Sequence, residues 1–283
     1  MGEWSNRGKK FLAAGTNKKQ FPANSNATVL RRRSPLRFFL LVFALSIPFW
    51  LIGGMTDLQL LPGLPVSSLM VVCPLIAASI LVYRENKAWG LMNLLKRSFD
   101  CRRIKAKLWY APIFLLMPAV TVSTYGLMRS TGMRPSTPRF PAPAALLVLL
   151  AFFVAALAEE LGWMGYAIDS MQERWSALQA SILLGIVWAA WHVVPLAQSR
   201  RSAGWIAWWC LFTVATRVLI VWIYNNTRRS IFAAILYHAM GNVCTVLFSG
   251  YFDPRITGLI VALVAATVTI IWGPRTLARY RKA

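Results

Sequence analysis

Eight apolar runs of about 17 to 25 residues, separated by short polar and mostly basic segments, limit this chain more than any other feature. A helix needs about 20 residues to cross about 30 Å of hydrocarbon, and lipid offers no partner for an open backbone, so helices are the only economical structure for such runs. The runs fall at 38–54, 64–83, 108–128, 144–168, 177–197, 205–224, 231–248 and 256–272. The expected fold class is therefore all-α, a polytopic membrane helical bundle of about eight transmembrane helices. Composition agrees: 57% of the 283 residues are apolar and 14% charged, the reverse of a disordered or water-soluble chain. Three parts are expected, namely a disordered basic cytoplasmic arm over 1–37, a transmembrane helical domain over 38–275, and a short basic cytoplasmic tail over 276–283.

The net charge of +22 points to nucleic acid only until the charges are placed. Of the 31 Lys and Arg, 24 lie in the arm and in the alternate segments after the second, fourth, sixth and eighth runs. Six lie on the opposite side, and Arg217 is inside the sixth run. This asymmetry puts both termini in the cytoplasm and explains the basicity without nucleic acid. A multi-pass protein of the bacterial cell membrane is expected. Segment 84–107 mixes Trp89, Leu91, Met92, Leu95 and Phe99 with Lys96, Arg97, Arg102 and Arg103; it reads as an interfacial helix or an ordinary positive-inside loop. The four cysteines show no C-x-x-C spacing and suggest neither a disulfide frame nor a thiolate metal site.

Chemistry is expected where charge sits at a cost. Seven of the nine acids fall between or beside the runs, leaving Glu159 and Glu160 embedded in one. An ionised carboxylate there costs on the order of 3 kcal/mol on the insertion scale, so the pair requires water, partners or protonation. Both histidines, His192 and His238, are likewise inside apolar runs, and Asn242 follows His238 by four residues on the same helix face. Counted from the inferred cytoplasmic ends, Glu159 and His238 lie at similar depth. His192 lies about 9 Å further in, so convergence requires tilt, shifted boundaries or a break near Pro195.

These residues resemble the CPBP intramembrane endopeptidases, a family that includes the CAAX prenyl endopeptidases and bacteriocin-processing or immunity-associated relatives. The resemblance covers about 144–248 and rests on three short motifs in order: Glu159-Glu160-Leu-Gly-Trp163-Met164-Gly165, Trp188 to His192, and His238 to Asn242. Met164 stands where the family has Arg, and Trp188 where it usually has Phe. Trp fills the same apolar role and adds an N–H in search of a partner. Met164 cannot neutralise a carboxylate, so Arg217 is expected to supply the missing charge to Glu160.

The resemblance implies hydrolysis of a peptide bond near the cytoplasmic side of the membrane. Adjacent helix positions point about 100° apart, so the two glutamates should not share one role. By resemblance Glu159 is the general base, His192 holds the water, and His238 and Asn242 donate to the oxyanion, with Glu160, Arg217 and Trp163 in support. No cofactor is favoured. Zinc on Glu159, His192 and His238 stays open as the alternative. The expected partners are a peptide or lipidated-protein substrate and the lipid bilayer; oligomeric state is not legible. A catalytically silent binding or immunity-type protein of the same fold and a proton- or ion-coupled transporter are the competing readings.

Overall fold

The computed structural model describes residues 33–61, 63–136 and 142–278. Most of the expected basic arm and residues 279–283 of the tail lie outside the described residues. Seven helical stretches, Pro35–Met55, Val66–Phe99, Lys107–Ser130, Leu146–Gln172, Ala177–Gln198, Ala203–Asn226 and Pro254–Trp272, are long and apolar enough to cross a membrane. An eighth apolar helix, Ile231–Leu247, has 17 residues and is about 25 Å long. Each of the eight expected runs thus contains a helix, the seventh being short for a span.

Helix α1 (Pro35–Met55) starts three residues earlier than expected. Ser34 caps it by accepting from the Arg37 N–H, and Pro35 takes the first-turn position where a missing N–H costs nothing. Its N-terminal end is tied down by Arg33, whose Nη1 donates to the Gly165 carbonyl (3.0 Å) and whose Nε lies 3.4 Å from Glu85.

The second run departs most from expectation. Its first two residues form β2 (Leu64–Pro65), which pairs antiparallel with β1 (Gln59–Leu61) just ahead of the run, and Gly63 adopts φ +79°. A 3₁₀ stretch, Val66–Val72, then leads into α2 (Cys73–Lys96). At Lys87 the backbone takes φ 54°, ψ −154°, which kinks α2. Beyond the kink Trp89, Met92, Leu95 and Phe99 are exposed, the arrangement expected of an interfacial helix.

Helices α3 (Tyr110–Ser130) and α4 (Ala142–Gly162) follow. The latter continues through a π turn, Trp163–Ala167, into α5 (Ile168–Gln172). Helix α6 (Ala177–Gln198) opens on a capping box in which Ser176 and Gln179 satisfy each other's backbone N–H. Ser202 caps α7 (Ala203–Asn226), Ser230 caps α8 (Ile231–Leu247) and Asp253 caps α9 (Pro254–Trp272).

Packing gathers α4, α6, α7 and α8 at the centre: α6 lies along α7, α4 against α8 and α2, and α9 on the other side of α7. Two glycines set the closest approaches. A Cβ on Gly162 would come 2.6 Å from Pro74 Cβ and 2.7 Å from the Pro74 carbonyl oxygen; one on Gly185 would come 3.0 Å from Val214 Cα. Small residues at such crossings let helix backbones approach where hydrophobic driving force between helices is weak.

Candidate active site

The two glutamates leave α4 in different directions and meet different surroundings. Glu160 is fully buried, and Arg217 Nη1 donates to both of its oxygens, at 3.0 and 2.7 Å. The same carboxylate lies 2.8 Å from His238 Nδ1 through Oε1. The expected pairing of Arg217 with Glu160 is thus present in the geometry. Met164, also fully buried, supplies only volume one turn further on.

Glu159 meets two indoles. Its Oε2 accepts from Trp188 Nε1 at 2.7 Å and from Trp163 Nε1 at 3.3 Å, while Oε1 accepts from none of the described residues. The N–H that Trp188 carries and a phenylalanine would lack thus finds a carboxylate. Arg217 closes the arrangement from behind, with Cζ 4.0 Å from the centroid of the Trp188 ring. A desolvated guanidinium over an indole face is a favourable cation–π geometry.

His192 sits in an aromatic box, with ring centroids 4.7 Å from Trp191, 5.2 Å from Trp209 and 5.6 Å from Trp188. Its Nδ1 lies 2.9 Å from the Trp188 carbonyl oxygen. A carbonyl can only accept, so Nδ1 carries the proton and Nε2 of the neutral ring presents a lone pair. His238 Nδ1 is committed in the same way to the Glu160 carboxylate, which leaves its Nε2 as an acceptor unless the ring takes a second proton.

Glu159, Trp188, His192, His238 and Asn242 all line one cavity of about 630 Å³. The structure therefore joins the four residues expected to do the chemistry, and places Glu160, Arg217 and Trp163 behind them. His192 reaches the cavity without a break at Pro195, which lies inside α6 and lines the same wall. Trp209 was not legible as a site residue; its signal was the spacing of eight residues before Arg217, two helical turns along one face of α7.

The cavity runs in an unexpected direction. On α4 it is lined by Leu147, Val148, Ala151, Phe152 and Ala155, all on the N-terminal side of Glu159, and on α6 by Pro195 and Leu196 beyond His192. Leu60, Gly63, Leu64 and Pro65 of the hairpin also line it. It thus extends toward the hairpin end of the bundle, away from the end that holds segment 84–107. The basic segment 84–107 and the part of the cavity beyond Glu159 and His192 therefore lie toward opposite ends of the bundle.

Among the described residues no three His, Cys, Asp or Glu side chains converge closely enough to hold a metal ion. The four cysteines are free thiols, two of them buried.

Residues 141–244, the stretch that carries all three motifs, match the family described as Type II CAAX prenyl endopeptidase Rce1-like. The chain is also 30% identical over 261 residues to CAAX prenyl protease 2 of Methanococcus maripaludis, an alignment covering 83% of this chain and 93% of that protein. With its membrane-length helices and its paired intramembrane glutamates, the chain belongs to the CAAX prenyl endopeptidase family of multi-pass membrane proteases.

Proposed function

We propose that Glu159 activates a water molecule for hydrolysis of a peptide bond in a prenylated or otherwise membrane-bound peptide, without a metal. The observation that carries this reading is the division of labour between the two carboxylates. Glu160 is held by Arg217 and His238, whereas Glu159 keeps one oxygen without a partner among the described residues beside the cavity.

A water between Glu159 and His192 would donate one hydrogen to the carboxylate and the other to the His192 Nε2 lone pair. As its oxygen attacks the scissile carbonyl carbon, the first proton passes to Glu159. The carbonyl oxygen becomes an oxyanion, and the Asn242 amide is the neutral donor available to it. His238 donates there only with its ring doubly protonated, since its Nδ1–H is held by Glu160. When the tetrahedral intermediate collapses, the C–N bond breaks and Glu159 returns the proton to the leaving amine. The apolar cavity wall excludes bulk water and strengthens each of these contacts.

The substrate enters from the hairpin end. Labelling single cysteines introduced at Gln59 and at Lys96 from each side of intact cells assigns that end to one face of the membrane. The reaction is tested by incubating the reconstituted protein with a farnesylated CAAX-box reporter peptide, and by profiling new termini in membranes containing wild type, Glu159→Gln or His238→Ala. Cleavage by wild type and its loss in folded Glu159→Gln are expected; cleavage retained in Glu159→Gln refutes the mechanism. Among the described residues Glu159, Glu160, Arg217 and His238 are the buried charged or imidazole side chains, and they gather at this one site, which favours local chemistry over a proton relay across the bundle.

A further inference from the structure

We infer that Arg217 is a positioning residue for both carboxylates, holding Glu160 by hydrogen bonds and Glu159 through Trp188. The inference deepens the proposed function and rests on the reading of Glu159 as the base. Arg217 is the only Lys or Arg buried among the described residues, with no exposed surface. A single nitrogen, Nη1, makes both bonds to Glu160, while Nε and Nη2 have no hydrogen-bond partner among the described residues. The charge is therefore met by one carboxylate at its end and one indole on its face.

That indole is Trp188, whose own N–H donates to Glu159 at 2.7 Å. The guanidinium plane fixes the tilt of the ring, and the tilt fixes where the N–H points. Glu160 in turn fixes the ring of His238. One side chain from α7 thereby sets the orientation of groups on α4, α6 and α8. Gly185 provides the room: a Cβ there would lie 3.2 Å from Arg217 Cβ, so a larger residue on α6 would press on the base of the guanidinium arm.

The two tasks can be separated by moving the charge. Position 164 lies four residues after Glu160 on the same helix path, within reach of its carboxylate. An arginine there can meet Glu160 but approaches from α4 rather than from beneath Trp188. Arg217→Met should lower kcat on the farnesylated reporter about 100-fold while KM stays within threefold, because the cavity that binds the peptide is not lined by Arg217. The double variant Met164→Arg/Arg217→Met should recover the thermal stability lost in Arg217→Met and about tenfold of the kcat, short of wild type because Trp188 stays unsupported. Arg217→Met turning over within threefold of wild type overturns the inference. So does a folded double variant that recovers neither stability nor rate.

Failure of the underlying reading shows differently, as wild type that leaves the reporter intact or Glu159→Gln that cleaves it. The inference is then judged on melting alone. Glu160→Gln and Arg217→Met should each lower the melting temperature, and the pair together should lower it less than their sum. Additive shifts refute it.

Discussion

Replacing Gly162 by alanine sets two effects of opposite sign against each other. In an exposed helix the change would stabilise by about 1 kcal/mol, since glycine carries the larger backbone entropy loss. At Gly162 the new Cβ would stand 2.6 Å from Pro74 Cβ, 2.7 Å from the Pro74 carbonyl oxygen and 2.8 Å from Phe38 Cζ. Ordinary carbon contacts lie at about 3.5 to 4.0 Å, so α4 and the first turn of α2 must separate by about 1 Å. The Phe38 ring can swing aside, but the Pro74 carbonyl belongs to a helix backbone. Overpacking of this kind costs about 1 to 3 kcal/mol, and with backbone on one side the upper part of that range applies, leaving a net loss of about 2 kcal/mol. The same displacement moves Glu159, three residues away, relative to Trp188 on α6. A misplacement of about 1 Å at a reacting group can cost about 100-fold in rate. Thermal unfolding in detergent should therefore show a melting temperature several degrees below wild type, and reporter cleavage should fall about 100-fold. A Gly162→Ala protein that melts at or above wild type and cleaves at full rate would refute the close-approach argument.

Trp188→Phe keeps an aromatic ring but removes the N–H donated to Glu159; turnover should fall about tenfold with the fold intact, and a wild-type rate would show the 2.7 Å bond to be catalytically idle. Asp100 Oδ1 accepts from Ser230 Oγ (2.6 Å) and the Phe232 N–H (3.2 Å) at the start of α8, so Asp100→Ala should destabilise by about 1 to 2 kcal/mol in detergent unfolding while Asp100→Asn keeps most of that stability. Dialysis against a strong chelator should leave cleavage unchanged; a loss restored by added zinc would reassign Glu159, His192 and His238 as metal ligands.

The positions of the helices were legible because lipid imposes one length and one polarity on every span. The cost of burying charge made Glu159, Glu160, His192, His238 and Arg217 conspicuous, and with only one base inside any run the partner of Glu160 could be named. The role of Trp188 was half legible: its N–H needed a partner, but which of two adjacent carboxylates would receive it depends on the rotation of α6 about its axis. Strand β1 and Gly63 lie just ahead of the apolar run that begins at Leu64, and the run's first two residues join that hairpin, a break that hydropathy averaged over a window does not register. The direction of the cavity could not be read either. It follows from which side of each helix is left unpacked, and the pairing of α4 with α8 and of α6 with α7 is a tertiary fact. His192 joins the cavity wall with α6 continuing through Pro195, so a break there is not required.

The π turn at Trp163–Ala167 lies between two halves of one helix that serve different ends of the protein. Upstream, Glu159 and Glu160 face the bundle interior; within the turn Tyr166 donates to Glu85 (2.7 Å), and downstream Asp169 meets Arg229 and Tyr224. A wide turn holds one residue more than an α turn, so it shifts the angular phase of everything after it by about 100°. Deleting one residue there would restore regular winding and rotate Asp169 out of register with Arg229 and Tyr224, even though no reacting group is touched. The extra residue works as a phase adjuster, which lets the reactive half and the anchoring half of the helix be aimed independently.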